Sequence, residues 1–302
     1  MIVESAQLAG AVPFAAAYEW ITQPLEFGFM QRAILVGVVI GAVCAVLSCW
    51  LTLLGWSLLG DAVSHAVLPG VVLGYVIGVP LAAGAFVFGI GAVALIGGLN
   101  RTSRVKEDAA IGIVFTGLFA LGLVFVSAIP SDIDLFHILF GNILGVSDSD
   151  IMQVLVIGIL TLAALLYFRR SIVLYSFDPV HAHAIGLSPK WLEALLLGTM
   201  ALTVVIALQA VGIVLVVAML ITPGAIGYLL TDRFDRMLLI ATVASVFSCV
   251  AGTYISYYAD ISTGGSIVVT LTTIFVITYV FAPRNGLLAR RRTSLPAVVQ
   301  TP

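Results

Sequence analysis

MQRAILVGVVIGAVCAVLSCWLTLLGWSLLGDAVSHAVLPGVVLGYVIG, residues 30–78, carries only two formally charged side chains, Arg32 and Asp61. A helix needs about 20 predominantly apolar residues to cross the hydrocarbon of a bilayer. The stretch is long enough for two such crossings, over 30–53 and 58–78, joined by a turn of a few residues. Inside the second stands GDAVSHAVLPG, residues 60–70, with an acid at Asp61 and an imidazole at His65.

The whole chain has the same character. Of its 302 residues 61% are hydrophobic and 9% charged, and the mean hydropathy is +1.19. A soluble domain carries roughly 25% charged residues, so this chain cannot clothe a globular surface and belongs in a membrane. Further apolar stretches fall at 80–99, 109–129, 149–168, 190–208, 211–230, 237–258 and 264–283. The expected architecture is all-α, a polytopic transmembrane bundle of eight to nine spans. An N-terminal interfacial segment (1–28) precedes a transmembrane domain (29–284) and a C-terminal tail (285–302).

Every Lys and Arg except Arg32 lies in one of four breaks: RTSRVKED (101–108), the long segment 168–191, TDRFDR (231–236) and RNGLLARRR (284–292). These fall at alternate turns of a nine-span chain. The positive-inside rule assigns them to the cytoplasm, with the C-terminus inside and the N-terminus outside. One span more or fewer would scatter the positive charge to both sides. The remaining turns, SDIDLFH (131–137), SDSD (147–150) and YYADISTGG (257–265), are acidic or neutral. Tyr18, Glu19 and Trp20 suggest a helix lying on the outer membrane face. No removable signal peptide is evident. Cys44, Cys49 and Cys249 lack disulfide or metal spacing and read as small lipid-embedded residues.

A carboxylate in hydrocarbon costs several kcal/mol unless compensated. Asp61 and His65 are four residues apart, on one helical face with Cβ atoms about 6 Å apart. An oxygen and a nitrogen donor together suit manganese, iron or zinc, whereas magnesium and calcium favour oxygen alone. One pair is too few for tight binding, so another span or a second copy of the chain has to complete the site. The plainer reading is that the two side chains bind each other or cap a helix end. Gly70, Gly74 and Gly78 form a small-residue ridge suited to close helix packing, roughly opposite Asp61, and Pro69 is placed to kink the helix. His181 and His183 read as loop histidines. Asp132, Asp134 and His137 form an outer cluster that could guide arriving cations, an ordinary loop being the simpler account.

A phosphate-binding GxxxxGK[ST] loop is excluded, because Lys106 and Lys190 follow Val105 and Pro189. No HExxH is present, so the chain is not expected to be an enzyme, and any ATP hydrolysis belongs to another subunit. The segment around YSFDPVHAHAIGLS is the natural place to receive that subunit's motion. Left open by the residues alone are a secondary transporter with Asp61 and His65 as proton relay, and an intramembrane acid–base enzyme.

GDAVSHAVLPG, KEDAAIGIVFTGLFALG (106–122), HILFGNILGVS (137–147), YSFDPVHAHAIGLS (175–188) and LQAVGIVLVVAMLITPGA (208–225) together resemble the membrane permease of the manganese/zinc/iron class of bacterial ABC importers. The resemblance runs from about Phe29 to Pro283 and is nearest the manganese permeases. It implies a permease homodimer in the bacterial plasma membrane, two cytoplasmic ATP-binding subunits and an extracytoplasmic metal-binding protein. No permanently bound cofactor and no nucleic acid are implied, the divalent metal being cargo. It places the path site on Asp61 and His65. It also makes the segment with Phe177, Asp178, Pro179, Ala182 and Gly186 the helix that couples to the ATPase. Relatives often carry basic residues before the first motif, as in LRRMSL, where this chain has LLGWSLLG.

Overall fold

The computed structural model describes residues 22–128, 143–283 and 286–288. The N-terminal residues Tyr18, Glu19 and Trp20 and the outer cluster of Asp132, Asp134 and His137 lie outside them.

Among the described residues nine spans are long and apolar enough to cross a membrane. They are built from α1 (Gly28–Leu54), α2 (Ser57–Ala66) with α3 (Leu68–Ile77), α4 (Leu81–Thr102), α5 (Glu107–Ala128), α6 (Asp148–Tyr167), α9 (Pro189–Val211), α10 (Ile213–Leu230), α11 (Phe234–Ala259) and α12 (Thr263–Phe281). Two short helices, α7 (Arg169–Phe177) and α8 (Pro179–Ala184), follow α6. No strand occurs among the described residues, since hydrocarbon demands that each span satisfy its own backbone.

The spans are unequally buried. The apolar windows of α1, α2–α3 and α9 are 72%, 67% and 67% buried, whereas those of α4, α5, α6 and α12 are each 22% buried. The first three are the axis of the bundle and the others its sheath. α1 packs along α10 and α11, α12 closes against α10 and α11, and α6 lies between α1 and α9. On the other side α3 packs on α4, and α5 covers both α2 and α3.

Serine side chains and close glycine approaches hold α1 to α10 and α11. Ser48 on α1 accepts a hydrogen bond from the Gly224 N–H at 2.8 Å and donates to the Ile221 carbonyl at 3.1 Å. It thereby supplies polar partners beside Pro223, which sits inside α10 without an N–H to give. Ser245 on α11 donates to the Gly41 carbonyl at 2.9 Å. A Cβ on Gly41 would stand 2.8 Å from the Cys249 sulfur, so α1 and α11 cross at this glycine. The three cysteines are buried inside the bundle, not turned to lipid as their apolar neighbours suggest. Their small side chains fit where helices pass closest.

Charge gathers at the ends. Arg101 at the close of α4 meets Glu193 at the start of α9 at 3.2 Å, and Arg169 on α7 meets Asp235 on α11 at 3.2 Å. Arg32, the one cation outside the four basic breaks, pairs at 3.0 Å with Asp148 of the acidic SDSD turn. Burial and the Glu193 charge raise the hydroxyl pKa of Tyr175 on α7 above its ordinary value, with Arg101 opposing.

Candidate metal centre

The second span is two ten-residue helices and not one rod. α2 stops at Ala66, Val67 links it to α3, and Pro69 stands in the first turn of α3. A proline tolerates that position because first-turn amides have no partner within the helix. Asp61 lies four residues into α2, about 6 Å along its axis from Ser57. His65 is one turn further, just before the break.

The two side chains meet. His65 Nδ1 is 3.0 Å from the Asp61 backbone carbonyl oxygen and 3.3 Å from Asp61 Oδ1. In the tautomer that donates from Nδ1 to both, the Nε2 lone pair faces away from Asp61. A carboxylate that accepts from the other ring nitrogen commonly fixes a metal-binding histidine in this way. Both side chains are half-buried, at 22% of side-chain area exposed for His65 and 35% for Asp61. Among the described residues no other cation lies within ion-pair distance of Asp61. Among those residues, too, no group of three or more His, Cys, Asp or Glu comes together to hold a metal. Asp61 and His65 stand there as a pair.

The wall around the imidazole is aromatic. Phe115 and Phe119 on α5 approach His65 with ring centroids at 5.1 and 5.4 Å and interplanar angles of 78° and 81°. Both belong to KEDAAIGIVFTGLFALG, and their four-residue spacing on one face of α5 was the available signal for them. The rings confine the imidazole plane and keep water from one side of it.

The glycine ridge divides. A Cβ on Gly70 would collide with the Gly84 carbonyl on α4, and one on Gly84 with the Gly70 carbonyl, so α3 and α4 touch backbone to backbone there. Gly74 is part of the same crossing, its Cα 3.3 Å from a Cβ on Gly84. Gly78 is not a packing residue, which corrects the expectation of a three-glycine ridge. It takes φ +77°, a left-handed conformation that only glycine adopts without strain, and has open space beyond it. Its N–H bonds to the Tyr75 carbonyl and that of Val79 to the Gly74 carbonyl, at 3.2 and 3.0 Å, closing α3 with a Schellman turn.

The second candidate segment forms a surface lobe. Phe177 ends α7, and the Asp178 carboxylate caps α8 by accepting the His181 N–H at 2.8 Å. Pro179 is the first residue of α8 and Ala182 its buried anchor. Gly186 follows at φ +90°, where Gly186 and Leu187 bond back to the His183 and Ala182 carbonyls. His181 and His183 are exposed. So are Phe177, Val180 and Ile185, at 67%, 79% and 57%, an apolar cluster on a lobe that lies outside the spans.

Nine spans among the described residues, one of them carrying a paired acid and imidazole, define a polytopic membrane protein. The chain belongs to the ABC 3 transport family, whose model matches residues 26–282. It is 57% identical to the "Manganese transport system membrane protein MntB" of Synechocystis sp. over 284 residues, 94% of this chain and 92% of that protein. It is 51% identical to the "Chelated iron transport system membrane protein YfeD" of Yersinia pestis, over 93% of this chain and 95% of that one. A chain of PsaBC from Streptococcus pneumoniae, solved in complex with Fab, superposes with a TM-score of 0.82 at 37% identity, covering 91% of this chain and 99% of that one. A metal-chelate type ABC transporter in an inward-facing conformation shares the fold, with a TM-score of 0.68 at 17% identity.

Proposed function

We propose that this chain is the membrane permease subunit of an ATP-driven importer that carries a divalent transition metal, manganese foremost, across the bacterial plasma membrane. One observation supports this above the rest. The match to the ABC 3 transport family over residues 26–282, with relatives named for manganese and iron transport, carries the reading, and Asp61 and His65, paired within a membrane span, are the candidate ligands. The manganese system named for the Synechocystis relative favours manganese as cargo, and the iron system named for the Yersinia relative makes iron the first competitor.

Each chain brings one imidazole and one carboxylate, and two symmetry-related copies bring two of each, donor types that suit manganese or iron. The ion is cargo, and its affinity for the paired site has to be low enough for release. Energy comes from two ATP-binding subunits, since the chain has no phosphate-binding loop of its own. Those subunits dock on the lobe that presents Phe177, Val180 and Ile185. An extracytoplasmic protein delivers the metal at the opposite end. The arginine-rich breaks and the C-terminus face the cytoplasm.

The test is metal uptake by the reconstituted complex, with manganese, iron and zinc in competition. Asp61→Ala and His65→Ala should each abolish uptake and leave assembly with the ATP-binding subunits intact. Normal uptake by both variants, or uptake driven by a proton gradient without an ATP-binding partner, would sink the reading.

A further inference from the structure

Between α7 and the first turn of α11 the structure has an open cavity of about 730 Å³ into which Arg169, Arg170, Arg233 and Arg236 converge. Asp235 is the only carboxylate in its lining, and Arg169 takes it at 3.2 Å across the gap, fastening the two walls together. Arg170, Arg233 and Arg236 have no ion-pair partner among the described residues. Three exposed guanidiniums around one space, unpaired among the described residues, repel one another, and an anion in that space relieves the repulsion. The fork of a guanidinium matches phosphate in particular.

The remainder of the lining is apolar, with Leu174 and Phe177 on one wall and Phe234 on the other. A small inorganic anion would leave that half of the cavity wet. An amphiphile with a phosphate at one end would fill both halves.

Its position fits such a ligand. Tyr167 and Trp191 close the α6 span and open the α9 span, 82% and 49% exposed, as aromatic residues do at the boundary between hydrocarbon and water. α7 starts two residues beyond Tyr167, which puts the arginines at headgroup depth. From Asp235 the same face of α11 continues through Leu239, Val243 and Phe247 at four-residue spacing, 68%, 60% and 59% exposed. That apolar track leads out of the cavity along the span.

We infer that this cavity binds the headgroup of an anionic phospholipid, with Arg170, Arg233 and Arg236 on the phosphate and an acyl chain along Leu239, Val243 and Phe247. The inference needs the chain to lie in a membrane but is independent of what the protein transports. Basic pockets between spans are recognised headgroup sites.

Native mass spectrometry of the detergent-purified complex, loaded with phosphatidylglycerol or cardiolipin and with phosphatidylcholine as reference, tests it. The wild type should retain the anionic lipid at least about tenfold better than phosphatidylcholine, and the R170A/R233A/R236A variant should lose that preference. The R170K/R233K/R236K variant, which keeps the charge and loses the fork, should retain an intermediate amount and shows that the loss is not misfolding. Equal retention by the wild type and the Ala variant would overturn the proposal. So would displacement of the lipid by millimolar inorganic phosphate, which would make the cavity a free-anion site. Loss of the ATP-binding subunits with lipid retention unchanged would instead make it a protein interface, and would overturn it too.

Discussion

Gly70 and Gly84 leave no room between them for a methyl group on either side. This crossing holds α3 against α4 and so anchors the half of the second span that follows Asp61 and His65. Gly70→Ala and Gly84→Ala should each destabilise the protein by about 1–3 kcal/mol or more through overpacking. Thermal denaturation in detergent reads the effect. Gly91→Ala, where nothing lies within 4 Å of the added carbon, should be neutral or slightly stabilising.

The Asp61 carboxylate orients His65 and is also free to meet the metal. Asp61→Asn keeps an oxygen that can accept from Nδ1 but removes the charge. Uptake should fall at least about tenfold while the melting temperature stays within a degree or two of wild type. Wild-type uptake at saturating and at limiting metal would show that the charge is dispensable and that orientation alone is what Asp61 supplies.

Phe115 and Phe119 fix the plane of the imidazole without contributing a donor. Replacing both by Leu keeps the wall apolar and removes the rings. Aromatic pairs of this kind are worth about 0.5–1.5 kcal/mol beyond their buried area. Metal uptake should therefore weaken by roughly threefold to tenfold, with expression unchanged. A double variant that transports like wild type would reduce the rings to filler.

Asp178 caps a helix of only six residues. Asp178→Ala should cost about 1 kcal/mol locally, since the His181 N–H is left without its partner. Hydrogen exchange at residues 179–186 should rise while the spans stay protected, and the affinity for the ATP-binding subunits should drop. Phe177→Glu should reduce that affinity with no change in exchange, because it alters the exposed surface and not the cap.

The spans were legible because hydrocarbon leaves the chain few choices. The expected 149–168 and 211–230 compare with Asp148–Tyr167 and Ile213–Leu230. Arginine placement agrees with the nine spans found among the described residues, because each added span would reverse the side of every later charge. The meeting of Asp61 and His65 was legible from their four-residue spacing, a property of local geometry. Contacts between elements far apart in sequence were not legible. Apolar flanks say that Cys44 is in the membrane but not whether it faces lipid or α11. Glycines at four-residue spacing look alike until the chain leaves the helix, and Gly78 is where it does so. The break at Val67 was signalled only by Pro69, whose first-turn position divides the span without disordering it.

Ser48 bears on where the molecule can bend. Proline inside a membrane helix ordinarily marks a joint, because the missing bond lets the two halves swing. Here Ser48 rivets the residues flanking Pro223 to α1 through hydrogen bonds of 2.8 and 3.1 Å, with the Gly224 backbone seated against the Ser48 carbonyl. Sliding or flexing α10 would break both bonds in a medium with no water to replace them. The proline that would ordinarily be α10's joint is thereby a point of attachment to α1.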